Sequence, residues 1–164
     1  MRYSSLAFIV AIGVALPVLA EELPTQPDNT LTPGVVGSAD FADVCGLVDG
    51  ETYSQRHRDT TQKMKNAAYV AYNVNKAGRE FEVDHRVPLC IGGADDQANL
   101  WPQLGFEHPS FHDKDRLETR VCRAVCRTRT MTLAEGQAIF LGDWIAGFER
   151  VFGSCPSWWC RSCG

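Results

Sequence analysis

Apolar residues crowd the first twenty positions, running from Leu6 to Leu16 behind Arg2 and ending in Val18-Leu19-Ala20. A basic start, a short apolar centre and small residues three and one before Glu21 predict a secretory signal peptide over 1–20. The run is too short to cross a bilayer, and no later stretch approaches the roughly eighteen apolar residues that crossing needs. Residues 21–44, with Pro24, Pro27 and Pro33-Gly34 among many acids, follow neither the helical nor the strand period. They are expected to form an acidic, extended and mobile arm, with order beginning near Cys45.

Beyond the arm, Met64, Ala67, Ala68, Val70, Ala71 and Val74 recur at helical spacing behind an Asp59-x-x-Gln62 cap and before Gly78. This predicts a helix over roughly 60–76. Phe81 to Val87 alternates apolar and polar residues and reads as a half-buried strand ending at Pro88, with Glu82, Asp84 and Arg86 on one face and His85 at the frayed end. Gly92-Gly93 with Asp95 and Asp96 is turn chemistry, and Asn99-Leu100-Trp101 forms a short returning strand before Pro102.

Ser110-x-x-Asp113 opens a helix that can run to about Thr128 without Pro or Gly. At about 100° per residue, Phe111, Leu117, Val121, Ala124 and Val125 fill one arc, while His112, Arg116, Arg120, Arg123 and Arg127 fill another about 80° wide. Thr132-x-x-Glu135 is a capping box for a last helix that packs through Ile139, Phe140, Trp144, Ile145, Phe148, Val151 and Phe152 up to Gly153. Strand, loop, strand and flanking helices define an α+β fold. A single domain over 45–164 with a Cys-rich C-terminal tail suits the 164 residues.

The formal charge of −4 hides an asymmetry. Residues 21–51 carry seven acids (Glu21, Glu22, Asp28, Asp40, Asp43, Asp49, Glu51) and no Lys or Arg, whereas residues 52–164 carry 15 bases against 13 acids. Clustered bases in this second part are compatible with a polyanionic partner. No acid interrupts the arginine arc, so Arg116, Arg120, Arg123 and Arg127 are candidate phosphate contacts. All seven cysteines lie in the exported part, where disulfides persist, and the odd number leaves one thiol free, between chains, or in another site. Cys122 and Cys126, one helical turn apart, are expected to bridge to Cys155, Cys160 and Cys163. That reading is preferred over zinc, which needs four well-spaced ligands.

Between Glu82 and Lys114 the chain offers carboxylates and an imidazole at a strand end, an asparagine on the returning strand, and two histidines at the mouth of a helix. Such a set can bind one divalent ion beside one base. The ion keeps positions open for water and a phosphate oxygen, and an imidazole not tied to the metal takes the water's proton. Histidine suits that role because its ordinary pKa of about 6.5 lies near working pH.

Asp84-His85, Asn99 fourteen residues on, His108 nine further and His112 four after that resemble the HNH endonucleases, the ββα-metal nucleases. The longer strings EVDHRVPLCIGGADDQANLWPQ and HDKDRLE look like a group of small exported bacterial HNH proteins, and the resemblance covers Cys45 to about Trp144. It implies that His85 is the general base and Asp84 a metal ligand. Asn99 would hold the loop around the base or reach the metal, and His108 or His112 would complete the ligand set. His108 fits the count from Asn99, and His112, favoured here, fits the first helical turn. Two Cys-x-x-Cys pairs found around many HNH motifs are absent. The implied activity is metal-dependent, weakly sequence-specific hydrolysis of phosphodiesters in nucleic acid, DNA rather than RNA. Mg²⁺ is the default ion, with Mn²⁺, Ni²⁺ or Zn²⁺ tolerated. The rival classes are a secreted, disulfide-rich binding module that uses the ββα scaffold without turnover, and a hydrolase of small phosphoesters. The location is periplasmic or secreted.

Overall fold

The computed structural model describes residues 24–153 except 76, 77, 79 and 107. The expected signal peptide and Cys155, Cys160 and Cys163 lie outside the described residues. The chain forms α1 (Phe41–Cys45), α2 (Tyr53–His57), α3 (Gln62–Ala71), β1 (Phe81–His85), β2 (Leu100–Leu104), α4 (Phe111–Cys122), a π-helical turn over Arg123–Arg127, α5 (Leu133–Leu141) and α6 (Trp144–Phe152). Helix and strand mix in one α+β unit, and no helix among the described residues is long and apolar enough to cross a membrane.

β1 and β2 pair antiparallel, with Asp84 opposite Trp101 and Glu82 opposite Gln103. The returning strand is longer than the pattern predicts, because Pro102 sits inside it opposite Val83. The ladder bonds fall on alternate pairs, from Arg86 N–H to Asn99 O and from Gly105 N–H to Glu80 O. Pro102 therefore occupies a position whose nitrogen faces away from β1, where the missing N–H costs no ladder bond. One face of the hairpin packs Val83 and Leu100 on Ala68 of α3. That helix begins at Thr61, whose hydroxyl accepts from Met64 N–H, and not at the Asp59 cap. Asp59 instead donates its N–H to Asp95.

The predicted apolar arc of α4 is the centre of the main core. Leu117, Val121 and Val125 are fully buried against Val87, Ile91, Phe140 and Phe148. Asp113 closes the N-terminus by accepting from the Ser110 N–H and hydroxyl at 2.9 and 3.1 Å. The expected last helix is two helices, broken at Gly142, because Asp143 accepts from the N–H groups of Ile145 and Ala146 and starts α6 afresh.

Residues 24–40 lack helix and strand but are not a free arm. Thr32 is fully buried, with its hydroxyl donating to Leu100 O and accepting from Tyr72 Oη. Val36 bridges Gly93, and Trp144 Nε1 donates to Thr25 O. The tether has a physical cause in Arg86. This guanidinium is buried and donates to Phe140 O, Asn29 Oδ1, Thr32 O and Leu141 O, so the arm and the end of α5 supply the oxygens that its charge requires.

Two disulfides, Cys45–Cys126 and Cys90–Cys122, fasten the C-terminal end of α4 and its π turn to α1 and to the loop after β1. Cys122 and Cys126 thus do not bridge to the tail. The bonds belong to an oxidising compartment.

Candidate functional site

The site forms where the end of β1 meets the first turns of α4. Asp84 Oδ2 accepts from Lys114 Nζ at 2.6 Å and from Gln103 Nε2 at 3.2 Å. Lys114 is itself buried, and its ammonium also donates to His85 O at 2.7 Å and to Glu118, one helical turn on. Asp115 sits beside it on the exposed side of α4. Asp84, Asp115 and Glu118 each bring one oxygen within 4.8 Å of the others, so this group could hold a metal ion.

The charges of this group act on one another. Burial works against the ionised form of Asp84, but the Lys114 ammonium and its hydrogen bond outweigh it and hold the carboxyl well below the usual range. Burial and the neighbouring Asp84 charge push Glu118 up to about 8. The same two causes raise Asp115, opposed by Lys114 and His112. Lys114 is held above the ordinary lysine value, because the Asp84 and Glu118 carboxylates overcome its burial.

His85 is buried, with Nε2 at 2.8 Å from Asp95 Oδ1. Asp95 also accepts from the Thr60 hydroxyl at 2.5 Å and from Asp59 N–H. Despite its burial, hydrogen bonds from Thr60 and His85 keep Asp95 below the usual carboxylate range, and an ionised carboxylate only accepts. The network therefore assigns the ring proton to Nε2 and leaves Nδ1 as the acceptor, 3.7 Å from Asp84 Oδ1.

Asn99 is fully buried in the loop between the strands. Its Oδ1 accepts from Val87 and Val35 N–H, and its Nδ2 donates to Val87 O and Ala94 O. Three of these bonds tie the loop that carries Asp95, the fourth holds Val35 of the N-terminal segment, and none reaches the carboxylates. Neither helix-mouth histidine joins the carboxylates as a ligand. His108 Nδ1 lies 2.6 Å from Asp113 Oδ2, and the His112 ring rests on Phe111 with centroids 4.1 Å apart. The metal-capable group found among the described residues contains Asp84 but neither of them.

The four arginines are exposed but do not form one stripe. The π turn, marked by the Thr128 N–H bond to Arg123 O, spends an extra residue and rotates Arg127 away. Arg116, Arg120 and Arg123 line a groove of about 360 Å³ together with Asp115 and Phe152. Arg123 and Arg127 line another, of about 620 Å³, together with Glu118 and the cysteines of both disulfides.

Sequence reasoning missed Asp95, Lys114, Asp115, Glu118 and Gln103 as members of the site. For Lys114, Asp115 and Glu118 a signal existed, since these three charged residues fall within five positions of one helix. For Asp95 there was none, because two acids after a Gly-Gly pair read equally well as a turn. No protein-family model matches the chain, and no curated protein and no solved structure is significantly similar to it.

Proposed function

We propose that the protein is a metal-dependent endonuclease of the HNH type that hydrolyses phosphodiester bonds of nucleic acid, DNA in preference to RNA, outside the cytoplasm. The observation that carries this reading is a buried histidine whose Nε2 is anchored on Asp95 and whose Nδ1 faces Asp84 at the edge of a three-carboxylate group. The order β1, β2, α4 supports the ββα-metal reading of the resemblance.

The residues present fit a divalent cation. Three carboxylate oxygens are hard ligands that suit Mg²⁺ or Mn²⁺. When bound, such an ion polarises the phosphate and neutralises charge that develops on the leaving oxygen. Asp84, Asp115 and Glu118 would hold it, replacing the ligand set of Asp84 with His112 or His108. Lys114 keeps one oxygen each of Asp84 and Glu118 turned inward, which leaves their other oxygens for the ion.

His85 performs the proton transfer. Nδ1 takes a proton from the attacking water while its oxygen bonds to phosphorus, and the bond from phosphorus to the 3′ oxygen breaks on the opposite side. Asp95 holds the imidazole in the required tautomer and stabilises the imidazolium, and Asn99 holds the loop that presents Asp95. Arg116, Arg120 and Arg123 share a groove with Asp115 and would bear the phosphates flanking the scissile bond.

Supercoiled plasmid incubated with the oxidised protein and Mg²⁺ or Mn²⁺, with and without EDTA, tests the proposal. Chelator-sensitive nicking is expected, reduced at least about a hundredfold by His85→Gln. Absence of nicking across several metals would leave a binding module without turnover. Turnover of a chromogenic diester without plasmid cleavage would leave a hydrolase of small phosphoesters.

A further inference from the structure

Thr60 and Thr61 stand side by side at the entrance to α3 and make different bonds. Thr61 caps the helix, its hydroxyl accepting from Met64 N–H at 3.3 Å. Thr60, one residue further out, is not needed for the cap, and its hydroxyl donates to Asp95 Oδ1 at 2.5 Å. The same Oδ1 lies 2.8 Å from His85 Nε2. A carboxylate oxygen offers two lone pairs, so these two donors fill it. Oδ2 takes the N–H of Asp59. The short segment between α2 and α3 therefore holds both oxygens of a buried carboxylate whose third partner is the His85 ring.

A planar carboxylate held at both oxygens cannot turn about its last bond. Without the Thr60 hydroxyl, Oδ1 keeps only His85, and carboxylate and ring are free to swing together while Oδ2 stays on Asp59. Burial alone would raise the Asp95 carboxyl, and the Thr60 bond is the largest of the effects that keep it below the usual range. We propose that Thr60 is a positioning residue for His85: its hydroxyl locks Asp95 in the orientation that keeps the ring proton on Nε2 and aims the Nδ1 lone pair at the attacking water. This rests on the base role that the proposed function gives His85, and not on the cation.

Two variants separate the hydroxyl from the rest of the side chain. Thr60→Val keeps the methyl group and discards the hydroxyl, whereas Thr60→Ser keeps the hydroxyl and discards the methyl group. Plasmid cleavage with Mg²⁺ or Mn²⁺ and imidazole ¹⁵N spectra of the oxidised full chain are the two measurements. Thr60→Val is expected to lower kcat about tenfold or more with KM unchanged, and to show the Nδ1–H form of His85 beside the Nε2–H form. Thr60→Ser should match wild type in both. Wild-type behaviour of Thr60→Val in either measurement, or equal losses in the Val and Ser variants, would overturn the inference, the latter by making Thr60 a packing residue. Should Thr60→Val fail to fold, Thr60→Ala takes its place, and failure of both to fold would assign Thr60 to stability and overturn the inference as well. The expected spectra without plasmid nicking by wild type would topple the nuclease reading and leave the orienting role of Thr60 standing. Chelator-sensitive nicking that is undiminished in Thr60→Val would do the reverse.

Discussion

His85 Nε2 and Asp95 Oδ1 lie 2.8 Å apart although the two residues are ten positions apart in sequence, His85 ending β1 and Asp95 lying in the loop that leads to β2. The contact decides which ring nitrogen is free. Nε2 donates to a carboxylate that is itself fixed by Thr60 and Asp59, so the lone pair sits on Nδ1, toward Asp84.

Asp95→Ala is therefore expected to release the ring and reduce plasmid cleavage by roughly tenfold to a hundredfold, with Asp95→Asn losing less because its amide oxygen still accepts. Imidazole ¹⁵N spectra provide a second measurement. Wild type should show the Nε2–H form of His85, and Asp95→Ala a mixture of tautomers. A wild-type spectrum in Asp95→Ala would show that the carboxylate does not set the tautomer.

Stability should depend on pH through Glu118. In the folded, metal-free protein this carboxyl keeps its proton up to about 8, against an ordinary 4.5. Between these values the folded state binds more protons than the unfolded state, so stability falls as pH rises through the window and levels off above it. Asp84 acts oppositely, since its lowered pKa adds stability above about 3.8 that is lost only in acid. In EDTA, wild type should lose roughly 5 °C or more of melting temperature between pH 5 and pH 9, and Glu118→Gln should be nearly flat. Parallel curves would remove Glu118 as the cause.

The groove lined by Asp115 and Phe152 contains three of the four arginines. Arg120→Gln with Arg123→Gln should weaken DNA binding across unrelated sequences and flatten the slope of log affinity against log salt by about one to two units, on the rule of roughly 0.9 per neutralised phosphate. Arg127→Gln, on the side of the π turn that faces the other groove, should leave the slope nearly unchanged. An undiminished slope in the double variant would make the arginines an ordinary solvated face.

The disulfides close segments with sequence separations of 81 and 32 residues. Loops of that size are associated with roughly 2–5 kcal/mol of stability each. Peptide mapping without reduction should recover the 45–126 and 90–122 pairs, and Cys90→Ala with Cys122→Ala should lower the denaturant midpoint and reduce cleavage. That bond joins the exit of β1, which carries Asp84 and His85, to the helix that carries Asp115 and Glu118. Full stability in this double variant would show that packing alone holds the two halves of the site together.

Local order was legible along the chain because its causes are short-range. The apolar arc of α4 follows from helical periodicity, the caps at Ser110 and Thr132 from side chains three residues away, and the position of Asp84-His85 at a strand end from alternation. The seven cysteines, behind an apolar start that reads as a signal peptide, also announced disulfides. Partners were not legible. Cys122 and Cys126 present the same spacing whether they meet Cys45 and Cys90 or a distant tail, and only the path of the chain selects between them. Asp95 has the same local chemistry as a turn residue and as an anchor for His85. Lys114 and Glu118 look like an exposed i, i+4 pair until β1 buries one face of the helix against Asp84. Arg127 left its predicted arc because a π turn, which no periodicity announces, absorbs one extra residue. The sequence by itself determined the elements and the chemistry available at their ends. The tertiary structure decided which carboxylate faces which imidazole, because such pairings are set by desolvation and charge compensation between segments far apart in the chain.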